Sequence, residues 1–447
     1  MADRLQVETS YRHILQIALP ISLALFVPQI NFIVNNIFLG HLSEEALATA
    51  SITGVYYLIF AGIGFGLNNG LQALISRRAG ENKPDEIGKI FNQGILIAMG
   101  IAAAGILITY FIAPVILRSS IHSQVIYEKA VVFLRIRILG LPFLYIYQMR
   151  NALLVGINRS RLLVLGTLAE AASNVLFDYA FIFGHFGLPS MGFNGAAVAS
   201  VISEFAGMFV IFMVITAKGI SSRYSLFRNF RLEKESATRI LKLSGPLVFQ
   251  HAISIISWFF FYLLVEHHGE TSLAVSNTMR NIFGFFGVFI WAFASTTNSM
   301  VSNVIGQGRK EEIVHLISRI MKLSSGFALL ACLILNFFPR LFLSIYGQGE
   351  DFMELGIQVL RVVAMAMVFM SVGIIWLNAV TGTGNSKITF LIELGAIVLY
   401  CVYVYLVLEV ARWSIIWGWI SELLYWTCMF TGSYLYIKSK RWKSTII

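Results

Sequence analysis

The sequence predicts an all-α integral membrane protein with twelve transmembrane helices in two pseudo-symmetric six-helix lobes. Three observations predict this fold: an apolar composition, twelve long apolar segments and an internal repeat. Hydrophobic residues make up 57% of the 447 residues, and charged residues only 13%. Soluble domains carry about 25% charged residues, so lipid rather than water is expected to cover much of this surface.

Twelve segments are long enough to cross a bilayer, which needs about 20 apolar residues per helix. They lie near 14–39, 50–76, 90–117, 131–154, 162–184 and 192–217, then 243–266, 276–304, 313–343, 357–380, 387–408 and 414–437. A strand of a membrane β-barrel would alternate apolar and polar residues, and runs such as 95–117 do not. The apolar segments are therefore predicted to be helices.

The two halves of the chain repeat each other, and the stretch from Pro20 to Ile87 aligns with the second half without a gap. At a fixed offset of 226 residues, eleven positions between Pro20 and Ile87 are matched by identical residues, among them Pro20 by Pro246, His41 by His267, Glu44 by Glu270 and Gly80 by Gly306. Duplicated apolar halves are typical of secondary transporters, in which two lobes hold a substrate and expose it to either side of the membrane in turn.

Basic residues predict the orientation and the domain boundaries. Lys and Arg concentrate in alternate loops, and the opposite loops hold acidic residues such as Glu45 and Asp351. This positive-inside pattern predicts cytoplasmic termini in the cell inner (plasma) membrane. We expect a first lobe at 1–217, a basic cytoplasmic connector at 218–242, a second lobe at 243–437 and a cytoplasmic tail at 438–447. The net charge of +10 reflects these loops, so the expected partners are the bilayer and small molecules, not nucleic acid, and we expect a monomer.

Polar side chains inside the apolar segments are costly, which makes them functional candidates. At a rise of about 1.5 Å per residue, Asn35, Asp178 and Ser200 are expected at one level in the outer half of the membrane. One carboxylate among carboxamide and hydroxyl oxygens suits a proton or a small hard cation. We expect ion coupling at Asp178, Asn174, Asn35, Ser200 and Glu204, with Na⁺ held by the first three as one option and no other cofactor. Alternatively, these groups only join helices by hydrogen bonds.

Other residues are expected to form a substrate cavity and to bend helices. Five side chains are expected to line the cavity: Asn31, Asn68, Gln72, Trp258 and Trp291. The tryptophans could stack on flat or cationic ligands, or they could simply pack against lipid. Pro20 and Pro246 interrupt helical hydrogen bonding in the first and seventh segments, so we expect hinges there. Should Asp178 not couple, coupling is expected at Glu204, Glu393 or Glu422.

Several short motifs resemble those of the multidrug and toxic compound extrusion (MATE) family, and the similarity covers nearly the whole chain. The motifs are Phe38-Leu39-Gly40-His41-Leu42 followed by Glu45-Ala46-Leu47-Ala48, then Ala79-Gly80-Glu81-Asn82, Asn174 to Asp178 followed by Phe181-Ile182-Phe183-Gly184, Gly195-Ala196-Ala197, and Gly306-Gln307-Gly308-Arg309 with Glu311-Glu312. The resemblance implies two lobes that alternately face each side and export organic cations or other amphipathic molecules in exchange for Na⁺ or H⁺.

The family's first-lobe ion site has an aspartate in the first helix, an Asn and an Asp in the fifth, and a threonine in the sixth. Asn174 and Asp178 match the pair in the fifth helix, and Ser200 stands for the threonine. Asn35 stands where the first aspartate is expected, so one of two carboxylates is missing. Ser254 occupies the position of a glutamate that some members have in the seventh helix. The remaining carboxylate favours H⁺ over Na⁺, although asparagine oxygens can still bind a cation.

Two other functions remain open from the sequence. One is a lipid-linked oligosaccharide flippase of the related superfamily, although such proteins often have fourteen spans and a basic cavity. The other is a membrane enzyme, for which His267 and His268 near Glu270 form the candidate cluster. The repeat of His41 and Glu44 in the first half favours a structural turn, so we expect no enzyme.

Overall fold

The computed structural model describes residues 5–121, 123–228, 231–346 and 349–445, with the backbone alone described at 31–33, 36, 44, 47, 48, 51 and 120. Within these ranges the chain is helical and has no strand. Twelve long helices match the predicted segments one for one, which confirms the fold class. They are α1 Tyr11–Leu42, α2 Glu44–Gly80, α3 Pro84–Phe111, α4 Gln124–Gly156, α5 Leu163–Phe183, α6 Phe193–Ala217, α7 Lys234–Glu266, α8 Glu270–Gly306, α9 Ile313–Phe337, α10 Glu350–Gly382, α11 Ser386–Val404 and α12 Ile415–Lys438.

Length and composition make these helices suited to a bilayer. In the described ranges, eleven helical segments are long and apolar enough to cross a membrane. The remaining long helix, α12, has 24 residues, which at about 1.5 Å per residue also reaches across the hydrocarbon layer. Short helices at Ala113–Ser120, Ile220–Arg223 and Pro339–Ser344 lie between long ones, and a π-helical turn at Tyr405–Val410 extends α11.

Local sequence accounts for several helix ends. Ser43 caps α2 by accepting a hydrogen bond from the Ala46 backbone N–H at 3.0 Å, as N-cap serines do. Pro84 starts α3 at a position where no backbone donor is needed. Gly184 ends α5 with φ +79°, a left-handed conformation that favours glycine. The bounds of α5, α6 and α12 agree with the predicted segments to within one residue, whereas α2, α3, α4, α8 and α10 begin six or seven residues earlier than predicted and α7 begins nine residues earlier.

The described contacts divide the chain into two compact units. The N-unit is Leu23–Ser244, and the C-unit combines Met1–Ser22 with Gly245–Ile447. The boundaries therefore fall inside α1 and α7, within two residues of Pro20 and Pro246. The sequence placed the start of the chain with the first lobe, whereas its contacts group it with the second half. The hinge role of the two prolines stays a prediction.

Side-chain amides explain why the start of the chain belongs to the C-unit. Asn303 of α8 accepts a hydrogen bond from the Val7 backbone N–H at 3.1 Å and donates to the Leu5 carbonyl at 2.9 Å. Gln307 donates to the Val7 carbonyl at 3.0 Å. Leu5 and Val7 are buried. The segment before α1 is thus fixed to α8 by a ladder of carboxamide bonds.

An analogous ladder holds the connector within the N-unit. Asn92 of α3 donates to the Arg228 carbonyl at 2.7 Å and accepts from the Phe227 N–H at 2.8 Å. Gln93 donates to the Arg231 carbonyl at 2.7 Å and accepts from the Glu233 N–H at 3.0 Å. Helices α1 and α7 each contain a boundary between the units. The segment before each of them is fixed by hydrogen bonds to the unit in which that helix begins.

Candidate functional site

Asp178 lies on α5 and is completely buried, with 0% of its surface exposed. Among the described residues, neither of its carboxylate oxygens has a hydrogen-bond partner. An ionised carboxylate in such a place costs several kcal/mol or more, because it has lost water and gained no donor. Asp178 can therefore be stable there only with a proton or beside a positive charge.

The N-unit also contains an ion pair, which supplies a fixed positive charge. Arg137 of α4 donates two hydrogen bonds to Glu204 of α6, with nitrogen–oxygen distances of 2.9 and 2.6 Å. The Tyr57 hydroxyl of α2 donates to the same carboxylate at 2.9 Å. The guanidinium also lies over the Tyr57 ring, 3.7 Å from its centroid. Three helices thus meet at one bidentate pair whose carboxylate accepts three hydrogen bonds, an arrangement in which a buried pair is well tolerated.

Arg137 also interacts electrostatically with Asp178 and with Glu170. The cluster therefore has three carboxyl groups and one guanidinium, and Glu204 already pairs with that guanidinium. If all three carboxyl groups were ionised, the cluster would carry two excess negative charges in a site sheltered from water. Charge balance therefore favours protons or bound cations at Asp178 and Glu170.

A glycine makes the ion pair sterically feasible. A Cβ atom at Gly140 would lie 2.1 Å from Glu204 Oε2 and 2.9 Å from Arg137 Nη1. Gly140 ends the single 3₁₀ turn, Ile138–Gly140, that joins the two halves of α4. The turn and its glycine leave the space into which the carboxylate of α6 reaches.

The other predicted coupling residues lie in the same unit. Asn35 of α1 is half-buried, and its Oδ1 is buried without a hydrogen-bond partner in the described part of the chain. Asn174 is buried on α5 and Ser200 is half-buried on α6. None of the three donates a hydrogen bond to Asp178, since its oxygens have no described partner. Joint ion binding by these residues stays a prediction.

The predicted cavity residues divide between the two units. Asn68 and Gln72 are buried on α2 of the N-unit. Trp258 packs in the C-unit with its ring centroid 6.1 Å from that of Trp419, and Trp291 is half-buried against the same core. The Asn31 side chain lies outside the described residues. A cavity lined by all five stays a prediction.

The C-unit holds two buried carboxylates on its last two helices. Glu393 of α11 accepts hydrogen bonds from Gln250 and Ser254 of α7, and from the Tyr425 hydroxyl of α12 at 3.0 Å. Glu422 of α12 accepts a bond from the Trp426 indole at 3.0 Å. Ser254, which replaces the glutamate expected in the seventh helix, thus contacts a glutamate supplied by the eleventh.

Sequence reasoning missed the side chains that donate hydrogen bonds to Glu204 and Glu393. Arg137 was the clearest omission, and a charged residue inside the apolar run 131–154 was the available signal. Gln250 and Ser254 are spaced by four on one helix face, which marked them as neighbours of each other but not of Glu393. Tyr57 and Tyr425 carried no signal beyond their presence among many aromatic residues.

The histidines that suggested an enzyme are held by the turn Tyr405–Val410. His267 Nδ1 lies 2.9 Å from a carboxylate oxygen of Glu409, and this hydrogen bond raises the pKa of the His267 imidazole. His268 Nε2 lies 3.0 Å from the Leu408 carbonyl oxygen. Neither contact involves Glu270, and the expectation that these residues are not catalytic stays a prediction.

Relatives of known family were found for both halves of the chain. The MatE family model matches residues 20–180 and again residues 246–406. The probable multidrug resistance protein NorM of Bacillus cereus (strain ATCC 10987 / NRS 248) is 24% identical over 309 residues, which are 69% of this chain and 68% of that protein. The protein of the same description from Synechocystis sp. is 22% identical over 383 residues, 82% and 80% of the two chains.

Solved structures share the fold over nearly the whole length. A multidrug resistance MATE family transporter of the MOP superfamily, in an outward-facing conformation, has a TM-score of 0.89 at 18% identity and covers 98% of each chain. A MOP superfamily transporter from Pyrococcus furiosus, whose binding pocket has reversed polarity, has a TM-score of 0.89 at 17% identity and covers 99% of this chain and 98% of that one. With the family model matching most of the sequence in two copies, this multi-pass membrane protein belongs to the MATE family of multidrug efflux transporters.

Proposed function

We propose that the protein is a secondary active antiporter that exports small amphipathic or cationic molecules in exchange for protons. The observation that carries the proposal is Asp178, a fully buried carboxyl group without a hydrogen-bond partner among the described residues. Arg137, which interacts electrostatically with Asp178, already forms an ion pair with Glu204.

Charge balance gives a physical basis for exchange. Because an uncompensated carboxylate at Asp178 is costly, the loss of its proton is favourable only when another positive charge arrives. A cationic substrate supplies that charge, and a returning proton displaces it. The proton and the substrate then compete for the negative charge of Asp178. Such competition does not depend on the shape of the substrate, so it suits chemically diverse cations.

Transport by purified protein in liposomes tests the proposal. A fluorescent organic cation would be loaded on one side, and a proton gradient or a sodium gradient imposed separately. We expect movement of the dye against its gradient under the proton gradient alone. Movement only under the sodium gradient would transfer the coupling to Na⁺, and no response to either gradient would contradict antiport.

Orientation is a separate prediction. We propose residence in the cell inner membrane with both termini in the cytoplasm, because Lys and Arg concentrate in the connector and tail. In a variant without the three native cysteines, a cysteine replacing exposed Ser222 should resist an impermeant thiol reagent in intact cells. A cysteine replacing exposed Gln124, which precedes the apolar part of α4, should react. The reverse labelling would invert the topology.

A further inference from the structure

Glu393 is held in the C-unit by uncharged groups from two other helices. Only 5% of its surface is exposed. Its carboxylate accepts hydrogen bonds from the Gln250 amide, the Ser254 hydroxyl and the Tyr425 hydroxyl. No basic side chain in the described part of the chain forms an ion pair or a hydrogen bond with it. Glu393 therefore differs from Glu204, which has a guanidinium as its main partner.

The three donors can serve both protonation states of Glu393. When the carboxylate is ionised, it accepts from all three. When it is protonated, its O–H needs an acceptor, and Gln250 Oε1 is buried without a hydrogen-bond partner among the described residues. Rotation of the Gln250 amide by half a turn would present that oxygen to Glu393. The two hydroxyl groups can also rotate from donor to acceptor.

An ion pair does not have this property. Protonation of Glu204 would leave the Arg137 guanidinium buried without its counter-charge, which is strongly unfavourable. At Glu393 the same event removes a buried charge and costs only a rearrangement of neutral groups. We call Gln250, Ser254 and Tyr425 the cage of Glu393. This cage of neutral groups is suited to a carboxyl group that gains and loses a proton within the membrane.

Besides the cage, two titratable groups of the described residues bear on this site. Tyr425 of α12 interacts with Glu393 of α11 and with Glu422, which lies on α12 like Tyr425 itself. On α7, His251 follows Gln250 in the sequence and is half-buried. The hydrogen-bond partners of Glu393 in the described part of the chain are all neutral, so a proton on its carboxyl group meets no positive charge among them.

We propose that Glu393 is a proton-binding site of the C-unit, with Gln250, Ser254 and Tyr425 as its positioning residues. The inference rests on the proposed proton exchange and extends it to both halves of the repeat. Asp178 lies on α5 and Glu393 on α11, which are the fifth helices of the two six-helix halves. Each half thus has at least one buried carboxyl group on its fifth helix, Asp178 toward the end of α5 and Glu393 near the middle of α11.

Carbodiimide labelling tests the site without relying on transport. Hydrophobic carbodiimides react with protonated carboxyl groups in apolar surroundings, and mass spectrometry of peptides locates the product. We expect labelling of Glu393 to fall by roughly tenfold or more between about pH 5 and pH 9. Glu204 is the internal control and should stay unlabelled, because both of its carboxylate oxygens accept hydrogen bonds from the Arg137 guanidinium. Absence of label at Glu393, or label that does not change with pH, would overturn the proposal.

Single substitutions separate protonation from folding. Tyr425→Phe removes one donor to the ionised form, so labelling of Glu393 should persist to higher pH. Tyr403→Phe is the matched control, because its hydroxyl donates to the Trp417 carbonyl at 3.1 Å instead. An unchanged profile in Tyr425→Phe would contradict the assigned role of the cage.

Transport stoichiometry completes the test. In liposomes, Glu393→Gln should lower the number of protons exchanged per substrate while keeping proton-driven export. An unaltered stoichiometry would remove Glu393 from the cycle. If the unmodified protein showed no proton-driven export, the proposed function would fail, yet the labelling result at Glu393 would stand by itself.

Discussion

Arg137→Met is expected to destabilise the N-unit by about 3–5 kcal/mol, the usual cost of removing one partner of a buried ion pair. Among the described residues, the Glu204 carboxylate would keep only the Tyr57 hydroxyl as donor. Its charge would then lie in a site where its side chain is 6% exposed. The apparent unfolding temperature of the purified protein in detergent should fall clearly.

Two further variants distinguish charge from size. Arg137→Met combined with Glu204→Gln removes both charges and should recover most of the lost stability, since neutral replacements of a buried pair are often tolerated. Arg135→Met is the matched control: Arg135 is exposed on the same helix and only approaches the Tyr110 ring at 5.7 Å. It should change stability by about 1 kcal/mol or less. A double variant as unstable as Arg137→Met would mean that packing, not charge, dominates.

The fold was predictable because it depends on the length and the composition of the apolar segments. Twelve apolar segments of about 20 residues or more require helices in lipid, where every backbone group must be bonded within its own segment. The repeat then predicted two equivalent halves. The grouping of the chain start with the C-unit was not predictable, because it depends on bonds from Asn303 to residues 296 and 298 positions away.

The candidate site was predictable only in part, and for the same reason. Buried carboxylates stand out in an apolar sequence, so Asp178, Glu204 and Glu393 were identified. Their partners were not, because Arg137 is 67 residues from Glu204 and Gln250 is 143 from Glu393. The packing of helices against each other decides whether a carboxylate forms an ion pair, accepts hydrogen bonds from neutral groups or has no partner. Hydropathy and spacing along single helices contain little of that information.

Asp178→Asn is expected to abolish proton-driven export while leaving the protein folded and in the membrane. The amide has nearly the shape of the carboxyl group but cannot titrate. It also removes the cost of burying a charge without a donor, so stability should hold or rise. In liposomes, dye accumulation under a proton gradient should fall to the level of liposomes without protein. Binding of the dye, measured by fluorescence quenching, should weaken for cations and persist for neutral amphipathic compounds.

Asn35→Asp is the complementary change, because it restores the second carboxylate that the MATE resemblance implies. Two nearby carboxyl groups resist simultaneous ionisation, so the pH optimum of export should shift upward, or export should become dependent on Na⁺. If Asp178→Asn exported normally under a proton gradient, Asp178 would be structural, and coupling would have to be sought first at Glu393 and then at Glu204 or Glu422. Export by Asp178→Asn that disappears on adding Glu393→Gln would assign the coupling to Glu393, because the second substitution removes the caged carboxyl group of the C-unit.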